Sequence, residues 1–183
     1  MLCKNDIIHK TFIIFTLSEY WRENRTQYFC RRKDMQFDET KTYQNLARSF
    51  AGESQAGMRY QLIARMATQQ GYTTLADTIK VLAKNETVHA RRFFEELNKR
   101  GCKLDNIDLD AGYPFHGGEL GECLNFAADD EHQEHAVIYP AFAKDAEEEG
   151  FNAVAALFKL VAQVEVRDEM IFKYLHEAFT KGV

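Results

Sequence analysis

The sequence predicts an all-α four-helix bundle with one long crossover between its second and third helices. Three observations carry this. From residue 38 to residue 180, apolar residues recur at the three- and four-residue spacing of a helix seam, not at the alternation of a strand. Prolines number only two, and Gly71, Gly101 and Gly150 fall where the seams stop. Two of the three connections between seams are short and one is long, which makes two antiparallel hairpins joined by a crossover.

The first helix is placed to start at an Asp38 cap and to end before Gly71. Its inward positions read Tyr43, Leu46, Phe50, Glu53, Gly57, Tyr60, Ala64 and Ala67. After a short turn the second helix reads Leu75, Ile79, Leu82, Glu86, His89, Phe93 and Leu97, with Thr74 and Asp77 as a capping pair and Gly101 as its stop. Residues 101–118 are polar, lack helical period and contain Pro114, so they form the crossover. The third helix runs to Glu149 with Leu124, Ala127, Glu131, Glu134, Ile138 and Ala141 inward. Pro140 should kink it and free a carbonyl near its middle. Gly150 breaks the chain and the fourth helix follows at once, with Val154, Phe158, Val161, Glu165, Asp168, Phe172 and Leu175 inward. The halves repeat: Glu53 to Glu86 spans 33 residues and Glu131 to Glu165 spans 34, which implies a pseudo-twofold bundle.

Every seam turns acidic at its middle. A single Glu on an apolar stripe is more often solvated or paired than ligating. Four interruptions at one level are a different matter, because gathered buried carboxylates cost several kcal/mol each unless a multivalent cation offsets them. A Glu plus a Glu-x-x-His step, repeated in the second helical pair, is the ligand plan of di-iron and di-manganese bundles. Glu86 and Glu165, which lead the i, i+3 pairs, are the candidates to bridge two metals. Glu53 and Glu131 are terminal carboxylates, and His89 is the nitrogen ligand on one metal. Glu134, one turn beyond Glu131, is either a seventh ligand or a rim carboxylate. Asp168 points inward three residues after Glu165 and should bind the second metal, directly or through a water; the competing nitrogen donor is His135. Tyr60 and Tyr139 are near enough to hold ligand carboxylates in place. Iron, or else manganese, suits a set so rich in oxygen. Two such ions can together deliver electrons to an O–O bond.

Composition narrows the remaining classes. A net charge of −5 and the lack of a basic face with interleaved aromatics argue against nucleic acid. Ile7–Leu17 is apolar but too short to span a bilayer, so no membrane role is expected. Cys3, Cys30, Cys102 and Cys123 include no C-x-x-C pair, which excludes a one-iron or zinc site built from these thiols and fits free cysteines in a cytoplasmic protein. Residues 1–34 carry seven Lys/Arg against four Asp/Glu, a balance opposite to the acidic remainder, and read as an N-terminal extension of a domain spanning 35–183.

At these residues the chain resembles the rubrerythrin family. The strings AGESQAGMRY (51–60), NETVHARRFF (85–94), EHQEHAVIYPAFAKDAEEEG (131–150) and VEVRDEMIF (164–172) are similar to that family's four metal-binding helices, and YPF (113–115) fits its crossover. The resemblance implies a ferritin-like bundle holding two iron ions per chain, commonly as a homodimer, that reduces hydrogen peroxide to water. It matches Glu53, Glu86, Glu131, Glu134 and Glu165 to carboxylate ligands and Tyr60 and Tyr139 to tyrosines that support them. His89 matches the histidine that trades places with Glu134's counterpart as one iron changes oxidation state. Two departures stand out. The family's rubredoxin domain has no counterpart in this sequence, so electrons are expected from a separate rubredoxin-like protein. The family's second histidine is replaced by Asp168. A ferroxidase, and a non-catalytic bundle that lost activity through Asp168, are the alternative functions.

Overall fold

A computed structural model describes residues 36–99 and 106–182 of the chain. The N-terminal extension, Cys3, Cys30, Gly101 and Cys102 lie outside the described residues. Among the described residues the elements are all helical. A short 3-10 turn (Phe37–Glu39) precedes α1 (Lys41–Gln69); α2 (Thr73–Lys99) follows, and after the crossover come α3 (Leu120–Gln133), a π-helical turn (Glu134–Ile138), α4 (Tyr139–Glu148) and α5 (Asn152–Lys181). The helix α1 packs along α2, and α3 and α4 pack along α5.

The cap of α1 is Thr40 rather than Asp38. Asp38 is spent in the 3-10 turn, and the Thr40 hydroxyl accepts the Tyr43 N–H at 3.1 Å. The free N–H groups of Lys41 and Thr42 donate to the Glu149 carboxylate at 2.9 and 2.8 Å, which ties the end of α4 to the positive end of α1. Thr74 and Asp77 do not cap α2: Thr74 lies inside its first turn, and Asp77 accepts from Lys80 at 2.8 Å. The tight turns after α1 and α4 rest on Gly71 (φ +88°) and Gly150 (φ +87°), a backbone region that a side chain disfavours.

The long third helix is not continuous. Pro140 has no N–H to give, and the chain widens just before it into the π-helical turn, where the Tyr139 N–H reaches back five residues to the Glu134 carbonyl. One extra residue is thereby inserted, and the inward face slips by one position. Tyr139, Ala143 and Ala146 are buried in place of the expected Ile138 and Ala141, which are exposed. Phe50 also differs from expectation: it is 38% exposed and meets Phe94 on the surface with ring centroids 5.2 Å apart, while Ser49 turns inward and donates to the Asn45 carbonyl.

The core is two apolar clusters, not one. Tyr60, Ile63, Leu75, Ile79, Leu82, Leu120, Leu124, Phe172 and Leu175 belong to the first. Tyr43, Leu46, Phe93, Leu97, Tyr139, Val154, Phe158 and Val161 belong to the second. On every long helix the residues separating the two clusters include the ionisable ones: Glu53, Glu86 and His89, Glu131 and Glu134, Glu165 and Asp168. Among the described residues no helix is long and apolar enough to cross a membrane.

Candidate metal centre

Four helices thus deliver one polar layer between two apolar plugs. Glu53, Glu86, Glu131, Glu165 and Asp168 are each 1% exposed or less, and His89 is 7% exposed. Two groups of potential ligand atoms form in that layer, the atoms of each within 4.8 Å of one another: Glu53, Glu86, His89 and Glu165 in one, Glu131, Glu134 and Glu165 in the other. Glu165 belongs to both.

Within the first group the His89 Nδ1 stands 2.9 Å from Glu165, 3.4 Å from Glu53 and 3.5 Å from Glu86. One ring nitrogen faces three carboxylates, and none of these contacts has hydrogen-bond geometry. In this layer seven buried side-chain atoms are left without a hydrogen-bond partner: Glu53 Oε2, both oxygens of Glu86, His89 Nδ1, Glu131 Oε2 and both oxygens of Glu165. Buried polar atoms are almost always satisfied, so orphans gathered at one level mark a place built for something else.

The two tyrosines cross between hairpins. Tyr60 on α1 donates to Glu131 on α3, and Tyr139 at the start of α4 donates to Glu53 on α1. Each fixes one carboxylate oxygen and leaves the other aimed into the layer. Tyr60 follows Glu53 by seven residues and Tyr139 follows Glu131 by eight, and the residue inserted by the π-helical turn makes up the difference. The pseudo-twofold relation therefore depends on that turn. Beside Glu134 and Tyr139 lies a cavity of about 380 Å³, bounded also by Gln55, Arg59, Tyr113 and Ile138. The crossover forms one wall of it, anchored by the Tyr113 hydroxyl on the Arg48 carbonyl at 3.1 Å and by the Pro114 carbonyl accepting from Gln55 at 2.5 Å.

The electrostatics follow from crowding. Burial, then the neighbouring carboxylates, pushes Glu86, Glu131 and Glu134 well above the usual carboxylate range. Glu165 is pushed up to about 7, chiefly by burial, with His89 opposing. Burial alone would lower the His89 pKa, but Glu165, Glu53 and Glu86 outweigh it and hold the ring protonated. Such a layer keeps protons at neutral pH unless cations replace them.

Comparison with known proteins gives this layer its context. The family model described as rubrerythrin matches residues 44–116. Rubrerythrin-1 of Clostridium acetobutylicum is 41% identical over 137 residues, covering 74% of this chain and 70% of its own. A rubrerythrin of Clostridium perfringens is 38% identical over 144 residues, covering 78% and 73%. The chain belongs to the rubrerythrin family. Among solved structures, the mixed-valent state of nigerythrin superimposes with a TM-score of 0.67 at 22% identity, covering 80% of this chain and 71% of that one, which shows the ferritin-like bundle fold. Rubrerythrin membership implies a di-iron centre, and the residues present fit one. Two oxygen-rich groups share a carboxylate, contain one imidazole and leave their inward atoms unpartnered, as two hard cations require.

Not every predicted residue of this rubrerythrin layer joins the two groups. Asp168 is fully buried on the expected stripe, but its carboxylate accepts from Asn85 at 3.1 Å and from Arg167 at 3.4 Å and belongs to neither group. His135 turns to Glu169, with Nε2 2.6 Å from Oε2. Asn85 went unnoticed in the sequence, although its place beside Glu86 offered a hint. So did the ion pair of Arg59 with Asp130 at 2.6 Å, whose members adjoin Tyr60 and Glu131 in the chain. Of the cysteines only Cys123 is described; it is buried and free.

Proposed function

We propose that the protein is a di-iron oxidoreductase that reduces hydrogen peroxide to water with electrons from a separate rubredoxin-like protein. The observation that carries this reading is the pair of buried acidic groups sharing Glu165, of which the second includes Glu134 at the cavity wall. In this reading Glu165, common to both groups, and Glu86 would be shared by the two ions. Glu53 and His89 complete one side, and Glu131 and Glu134 the other. Asp168, held by Asn85, sets a negative charge beside Glu165 on the side where the family's second histidine would stand.

Two ferrous ions held there would supply the two electrons that conversion of H2O2 to two waters requires. The chain supplies the rest. The cavity admits a molecule of peroxide's size to Glu134. Two protons are needed for each peroxide, and Glu134, at the cavity wall, is placed to carry protons inward when it is not holding an ion. Tyr60 and Tyr139 keep Glu131 and Glu53 aimed inward through the cycle.

Glu134→Ala is the test. The iron-loaded, reduced variant should keep most of its iron but react with H2O2 at least about tenfold more slowly than the parent. A variant that reacts as fast as the parent would make Glu134 a rim carboxylate and favour a ferroxidase.

A further inference from the structure

We infer that His132, His135 and Glu169 form a third divalent-cation site, of the zinc or ferrous-iron class, beside the turns that carry Glu131, Glu134 and Glu165. None of the three residues belongs to either buried group, and one potential ligand atom of each lies within 4.8 Å of the others. His132 and His135 stand at i and i+3, with their rings 5.0 Å apart and nearly perpendicular. Glu169 reaches them from α5, its Oε1 3.2 Å from His132 Nδ1 and its Oε2 2.6 Å from His135 Nε2.

Two imidazoles and one carboxylate are a donor set that zinc takes in open sites and that non-haem ferrous iron takes as a facial triad. A tetrahedral ion with bonds of about 2.0–2.2 Å holds its donors roughly 3.3–3.5 Å apart. The His132–Glu169 contact, through Oε1, is within about 0.3 Å of that spacing, and the His135–Glu169 contact, through Oε2, needs to open by less than about 1 Å. The His132 side chain is 52% exposed, which leaves a coordination position for water. Glu169 also accepts from Lys173 Nζ at 2.5 Å. Lys173 is an exposed side chain on a flexible stem, so it can swing away, and a bound cation competes with it for the same oxygen. An ion at this place would pin the π-helical turn to α5, next to the carboxylate that lines the cavity.

Zinc alone is the probe. The iron-loaded protein is dialysed against Zn2+, and iron and zinc are counted together. The parent should take up one zinc per chain with its iron content unchanged, and His132→Gln/Glu169→Gln should take up none. His132→Gln alone replaces a half-exposed residue, leaves the packing intact and should show the same loss. Lys173→Ala, which removes the competing cation, should tighten zinc binding by up to about fivefold. Zinc uptake by His132→Gln equal to that of the parent would overturn the site, as would no uptake by the parent, or weaker binding in Lys173→Ala.

Discussion

Raising the pH of the iron-free protein from about 5 to about 8 should destabilise it, against the usual expectation for a protein with many carboxylates. Glu165 holds its proton in the folded chain up to about pH 7, whereas in the unfolded chain it releases it near 4.5. Between those values the unfolded state binds fewer protons than the folded one, so stability falls as pH rises through the window. The difference of roughly 2.5 units corresponds to about 3 kcal/mol from this residue. Glu86, Glu131 and Glu134, also raised, add to it with the same sign. His89, held protonated by the carboxylates, loses stability in the same direction above its unfolded value. For a domain of this size 3 kcal/mol is a drop in Tm of roughly 6–12 °C, readable by calorimetry or circular dichroism. Glu165→Gln should make the slope shallower, and iron loading should reverse its sign, because metal-bound carboxylates are ionised in the folded state. An iron-free Tm that stays flat or rises between these pH values would refute the reasoning.

Glu86→Gln and Glu165→Gln should each bring iron well below two per chain, and metal analysis showing two irons in both would end the bridging assignment. Tyr60→Phe strips a charge-assisted hydrogen bond from Glu131 and should weaken iron binding by about tenfold or more while the bundle stays folded; unchanged affinity in a chelator competition would leave Tyr60 as packing only. Asp168→His replaces a negative group by a neutral one beside Glu165 and should raise the reduction potential of the iron pair. A potential that stays put in a redox titration would mean that Asp168 is a structural partner of Asn85 and nothing more.

Much of this could be read from sequence because buried stripes have a period and their interruptions do not. Every inward position expected on α2 and α5 is buried, and the ionisable ones fall between the two apolar clusters. The turn glycines were legible for the same local reason. What escaped was non-local or aperiodic. A one-residue insertion has no period of its own, so Pro140 read as a kink when it marks a π-helical turn, and Ile138 and Ala141 were placed on the wrong face. Phe50 fitted the stripe by spacing, yet a surface partner on the neighbouring helix, Phe94, was available to it. The orientation of Asp168 depends on Asn85, 83 residues earlier in the chain, and that of His135 on Glu169, 34 residues later. Contacts of that range leave no mark in a local pattern.

The central claim, a two-iron centre tuned for peroxide, is tested most directly by single-turnover kinetics. The anaerobic, fully ferrous protein is mixed in a stopped-flow instrument with H2O2 and, separately, with O2, and the ferric absorption is followed. One H2O2 should oxidise one iron pair, and the reaction should run much faster than the one with O2 at equal concentration. Oxidation by O2 as fast as by H2O2, or iron released as the ferric product forms, would contradict the account and make the protein an iron-oxidising bundle instead.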